Sequence, residues 1–236
     1  MDATLQIWRR RVFASFSGAA AEAEPPQTGL IAWFRADTEV TEGTGGVSAW
    51  GDPVGGFDLA QATEANRPAL VAAVINGQPV IRFTRANADH LARATTPTPV
   101  QPYTWVMVAA LTTGSAIFQW AVSDGASFRS LGYNNSDQPA IFSGGVVADD
   151  VASDGNFHAL IGVFNGASSE IFVDNASVVT GDAGAGNFSG GIVVGAGPSA
   201  SDPLGGDIAE VLLYDHVLDA SERTALDTYF AARYGI

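Results

Sequence analysis

The chain has 236 residues, 25 acids against 11 bases, no cysteine and a formal charge of −14. All of its bases are arginine, which excludes a P-loop, a Schiff base or a lysine general base, and the missing cysteines exclude disulfides, thiol nucleophiles and cysteine-ligated metals. So acidic a surface is repelled by phosphate backbones, which argues against nucleic acid as a partner, and no apolar run approaches the ~20 residues of a membrane span.

Residues 1–28 read differently from the rest. Three adjacent arginines, Arg9, Arg10 and Arg11, precede a short apolar stretch and an alanine-rich segment, an arrangement that imitates a secretory leader. Serines break the stretch Val12–Phe16, and Leu5, Ile7, Trp8, Val12, Phe13 and Phe16 are too few to form a core. Pro25-Pro26 separates them from the remainder of the chain, so residues 1–28 are expected to form an extended or helical anchoring arm and linker, and residues 29–236 a domain.

From Gly29 onward short apolar runs alternate with turns. The runs are Leu30–Phe34, Pro79–Phe83, Tyr103–Leu111, Ile117–Val122, His158–Phe164, Ile171–Val173, Ile192–Val194 and Ile208–Tyr214. Gly, Asn, Asp, Ser and Pro fill the breaks, as in Asp124-Gly125 and Asp154-Gly155-Asn156. Central runs that are apolar at consecutive positions predict sheets covered on both faces. The expected fold is all-β, an antiparallel two-sheet jelly-roll sandwich. One segment reads as helix: Asp219-Ala-Ser-Glu222 is a capping box, Leu226 and Phe230 share a face, and Gly235 can close the end.

LIAWFRAD (30–37), VSAWGD (47–52), GFDLAQAT (56–63), NRPAL (66–70) and INGQPVIRF (75–83) occur in an order and spacing that resembles bacterial and phage laminin-G-like, concanavalin-A-like jelly rolls. FHALIGVFNGASSEIFVDN (157–175) looks like the central hairpin of that family, and the last 31 residues like its final strand and closing helix. The resemblance runs from Thr28 to the C-terminus and leaves the arm outside. It implies binding of carbohydrate or protein surfaces, with glycoside hydrolases among more distant relatives; fold alone does not choose between them.

Jelly-roll glucanases need carboxylates at alternate positions of one strand. The nearest match, Glu170-Ile-Phe-Val-Asp174, spans ~13 Å, too far for a glycosidase pair, and the resemblance places Asp174-Asn175 in a hairpin turn. Glu210 is read as a structural carboxylate sharing a face with Ile208 and Leu212. His90, His158 and His216 lie far apart in sequence, with no serine elbow to accompany them. Gly195-Ala-Gly197-Pro-Ser-Ala200 imitates a dinucleotide fingerprint, but proline stands where a helix should begin. No cofactor is expected. Calcium is the one cation to weigh, at Asp149, Asp150 and Asp154 around one turn or Asp202 and Asp207 around another.

Sugar faces stack on flat rings, so the aromatics Trp105, Trp120, Phe118, Phe128 and Tyr133 are the platforms to weigh. Trp33, Trp50, Trp105 and Trp120 are read as core. Tyr133, beside Asn134 and Asn135 in an expected loop, is the candidate for ligand contact. The function read from these features is non-enzymatic: an exposed virion-surface protein (capsid decoration, fibre or adaptor) that contacts neighbouring virion proteins through its arm. A homo-oligomer, a trimer among the options, and a glycan ligand fit the same reading. A carbohydrate-binding module of a secreted bacterial protein is the alternative, and a glycoside hydrolase ranks below both. The expected location is a virion surface or the extracellular space.

Overall fold

The structure is a computed structural model that describes residues 24–96 and 98–236. The nine anchor residues of the arm, Leu5 to Phe16, lie outside the described residues.

The strands are β1 (Leu30–Arg35), β2 (Val40–Gly43), β3 (Gly46–Trp50), β4 (Leu59–Ala60), β5 (Ala69–Ile75) and β6 (Gln78–Phe83). After them come β7 (Leu91–Arg93), β8 (Tyr103–Leu111), β9 (Gln119–Asp124), β10 (Ser130–Tyr133), β11 (Pro139–Phe142) and β12 (Val146–Ala148). The last are β13 (His158–Phe164), β14 (Ser169–Val173), β15 (Ala176–Gly181), β16 (Ile192–Val194) and β17 (Gly206–Tyr214), before one α-helix, α1 (Ala220–Tyr234). They form two antiparallel sheets, a jelly-roll-like sandwich. The first runs β15-β14-β13-β8-β17-β6-β5, with β1 also on β17; the second runs β12-β11-β10-β9-β16-β7-β4-β3-β2.

All nine residues of β8 and all nine of β17 are buried, because this sheet is covered on both sides. Alternate residues serve different layers. Trp105, Met107, Val211 and Leu213 face the inter-sheet core, whereas Val106, Val108, Leu212 and Tyr214 join Leu226, Tyr229 and Phe230 under α1. Among the described residues no α-helix packs on the outer face of the second sheet. Between the layers, Gly162 of β13 has no room for a side chain: a Cβ there would stand 2.7 Å from Cγ2 of Ile141.

The cap expected of α1 is present. The Asp219 carboxylate accepts from the N–H groups of Ser221 and Glu222, at 2.7 and 2.9 Å, and Glu222 accepts from Asp219 N–H at 2.9 Å. Gly235 is left-handed at φ 74° and ends the helix.

Two β-bulges override the alternation that the sequence suggests. Against β8, the register of β17 shifts between Ile208 and Glu210. Ile208 therefore faces the inter-sheet core, while Glu210 turns with Leu212 towards α1, where it accepts from the Trp33 indole N–H and the hydroxyls of Tyr229 and Tyr234. This corrects the expectation that Ile208, Glu210 and Leu212 share a face. In β9 the pairing with β10 skips Ala121: Val122 lies opposite Leu131 and Trp120 opposite Gly132. Ala121 and Val122 both reach the core, and one residue of slip sends Trp120 outward. Trp33, Trp50, Trp105 and Trp120 are all buried as read, Trp120 at 3% exposure, although the bulge sets it outside the two main core clusters.

Candidate ligand-binding groove

The bulge in β9 turns Trp120 to the outer side of the second sheet, where three phenylalanines gather around it and leave it 3% exposed. Phe118, just before β9, stacks on it with centroids 4.9 Å apart and planes 21° from parallel. Phe142 comes from β11, where its neighbour Ile141 faces the core, and lies 6.4 Å from Trp120. Phe128, from the β9–β10 connection, meets Phe142 edge-on at 6.1 Å and 87°. With Val146 and Asp202 these rings line a depression of about 210 Å³.

The segment 195–205 forms one wall. It is tied to β9 by bonds from Gly195 N–H to the Ala121 carbonyl at 2.8 Å and from Trp120 N–H to the Asp202 carbonyl at 3.0 Å. It lies so close that a Cβ at Gly197 would stand 2.9 Å from Trp120 Cδ1 and 3.1 Å from Phe128 Cε1. Ser199, Ala200 and Asp202 all take left-handed backbone, at φ 55°, 59° and 45°. Left-handed backbone at non-glycine residues clusters at ligand sites. This is the stretch whose glycines imitate a dinucleotide fingerprint; in place of a helix it holds one 3-10 turn, Pro198–Ala200.

The ligand residues read from the sequence lie elsewhere. Tyr133 ends β10 instead of occupying a loop, and is 2% exposed because Leu131 and Tyr133 alternate inward with Gly132 outward. Asn134 is buried in a turn that its side chain builds, its carbonyl oxygen accepting from Ser136 and Gln138 N–H at 2.8 and 3.1 Å. Asn135 alone of the three is exposed. Phe142 escapes the sequence reading; its place one residue after a core isoleucine in a strand is the available signal.

The acids are drawn into local bonds. Asp149 accepts from Asp150 N–H at 2.7 Å, and Asp154 from Asn156 N–H at 2.8 Å. Those hydrogen bonds hold the Asp154 carboxyl down at about 2. Asp207 forms a bidentate pair with Arg82, both contacts 2.7 Å. Among the described residues no group of three or more histidine or acid side chains is arranged to hold a metal ion, so the turn aspartates Asp149, Asp150 and Asp154 do not converge as a cation site would need. Glu170 accepts from the Ser177 hydroxyl, and Asp174 occupies the hairpin turn with Asn175, left-handed at φ 47° and 64°.

Asp154 and Asp174 instead flank His158, at 3.0 and 2.6 Å. Burial opposes charge on that imidazole, but the two hydrogen bonds outweigh it and raise its pKa. His158, Asp149, Asp154 and Tyr133 border a second, smaller cavity at one end of the sandwich. His216 is held by Glu222 at 3.0 Å, and His90 approaches Gln61.

A sequence search of curated proteins finds no match. Among solved structures, a Trypanosoma rangeli sialidase in complex with the inhibitor DANA aligns with TM-score 0.61 and 13% identity, over 86% of this chain and 33% of that one. The chain thus spans about one third of those sialidases. Domain 4 of AbnA, an extracellular GH43 arabinanase from Geobacillus stearothermophilus in complex with arabinotriose, aligns with TM-score 0.60 and 12% identity, over 86% of this chain and all of that one. The binding domain of Paraclostridial Mosquitocidal Protein 1 aligns with TM-score 0.60 and 10% identity, over 86% and 52%. At these identities the likeness is one of fold. The sequence pattern of one family matches residues 102–222, just over half of the chain and the span from β8 into α1. With a two-sheet sandwich and a single closing helix already in view, that match makes the chain a member of the concanavalin A-like lectin/glucanase superfamily.

Proposed function

We propose that this chain is a non-catalytic recognition module, and that it holds a carbohydrate of an extracellular surface in the groove of the second sheet. The observation that carries this is the ring cluster of Phe118, Trp120, Phe128 and Phe142, which lies outside both hydrophobic cores and lines one outward depression. Sugar C–H faces stack on such rings. A glycosidase needs two carboxyl groups about 5–10 Å apart across its substrate, and this groove is lined by a single acid, Asp202. The whole-length likeness to an arabinanase domain crystallised with arabinotriose supports the same reading.

The test is a glycan array probed with the full chain, followed by titration of the best ligand. Phe118→Ala, outside any strand, is expected to weaken binding about tenfold, or about 1.4 kcal/mol, while the thermal transition stays in place. A silent array, or a ligand bound equally well by the variant, overturns the assignment.

Attachment to a larger assembly, a virion surface foremost, is the part of the reading that rests on residues 1–28. Its support is compositional: apolar residues flanking Arg9, Arg10 and Arg11, joined to a body whose cores are filled by residues from Leu30 onward. Trp8→Ala combined with Phe13→Ala is expected to leave the unfolding transition unchanged and to abolish co-sedimentation with the assembly. Loss of folding in the double variant would show that these residues belong to the body.

A further inference from the structure

The aromatic groove of the second sheet offers a ligand little hydrogen bonding. Its lining is four aromatic rings, Val146 and Asp202. A neutral sugar presents hydroxyls all round its ring, and sites that select one bring several polar side chains to meet them. Here one carboxylate stands beside four aromatic rings, and that combination suits a cation: aromatic rings attract positive charge and the carboxylate supplies the counter-charge.

Asp202 is placed for this. Its carboxylate accepts no hydrogen bond and enters no ion pair among the described residues, although its backbone carbonyl is fixed by Trp120 N–H. Its left-handed backbone, next to Ser199 and Ala200 in the same state, holds the side chain at the groove edge. Burial raises its pKa, and the positive charge of Arg85 pulls it back down. Arg85 itself does not line the groove, and its Nη1 is buried without a partner. Arg85 is half-buried and makes no hydrogen bond to the Asp202 carboxylate. The net charge of −14 draws cations towards the molecule as a whole.

We infer that the groove selects glycans bearing a protonated amine, the amino-sugar ring lying against Phe118, Trp120, Phe128 and Phe142 while its ammonium group pairs with Asp202. This rests on the reading of the groove as a carbohydrate site and adds the class of sugar.

The full chain is titrated by calorimetry, at mildly acidic pH, with a glucosamine hexamer and with an N-acetylglucosamine hexamer, which differ in the charged amine. The glucosamine oligomer is expected to bind about tenfold more tightly at low salt, with the advantage shrinking as salt is added. Asp202→Asn should remove the advantage, because asparagine tolerates the left-handed backbone and deletes only the charge. Phe118→Ala should weaken both oligomers.

Equal affinity for the two oligomers overturns the inference and leaves the groove a sugar site. So does an advantage that survives Asp202→Asn, which would be adsorption of a polycation to an acidic surface. If neither oligomer binds, the inference fails as well. The broader reading then stands or falls on the array, where a neutral glycan whose binding is lost in Phe118→Ala would sustain it.

Discussion

Glu210 is wholly buried between the first sheet and α1, surrounded by an indole and two phenols that all donate to it. Burial pushes its pKa up to about 7, against the opposing pull of those hydrogen bonds and of the Arg233 guanidinium. Between its ordinary value near 4.5 and 7 the folded protein therefore keeps a proton that the unfolded chain has released. This group's contribution to stability is complete below the lower value and declines as pH rises through the upper one. Glu210→Gln is expected to flatten that decline: relative to the native chain, the variant should gain up to about 3 kcal/mol between about pH 5 and about pH 8. Urea titrations across that range measure it, and parallel pH profiles for the two proteins would contradict the burial account. The sequence alone marks Glu210 as a structural carboxylate, since a lone acid in an apolar strand needs donors. The identity of those donors is not legible there, because Tyr229 and Tyr234 reach it only once α1 has docked.

The long apolar runs form strands β6, β8, β13 and β17 nearly as read, and the capping box sets the start of α1, because these signals are local. Short strands such as β2, β4, β7 and β12 carry two to four residues each, and pairing with neighbours, not their own sequence, makes them strands. The groove is legible only in part. Phe118, Trp120 and Phe128 stand out as aromatic candidates, but a single extra residue at Ala121 decides which way Trp120 points, and composition does not reveal a bulge. The segment 195–205 depends equally on one small residue. Gly197→Val would drive methyl groups into Trp120 and Phe128, so it is expected to lower affinity for any groove ligand by tenfold or more, about 1.4 kcal/mol, with the sheets intact. Circular dichroism alongside the binding titration separates this from unfolding; undiminished binding would mean the wall is not rigid.

At the scale of the whole molecule, the two sheets and α1 divide the labour. The first sheet packs between the second sheet and the helix, so among the described residues the outer face of the second sheet is the broad β surface without a helix on it. Residues just before β1 already belong to the body: Pro25 is buried, and the Tyr214 hydroxyl donates to the Pro26 carbonyl at 3.0 Å. Pro26 therefore lies beside the end of β17, on the sheet opposite the groove.

The central place of β17 has a further consequence for how the protein is made. This strand pairs with β8 along one edge and with β6 and β1 along the other, so it joins segments made well before it. Until Tyr214 has emerged, β1 has no neighbour and the sheet is split in two. The central pairings of the first sheet thus bridge distant stretches of chain, and such non-local closure is the slow step of a β fold.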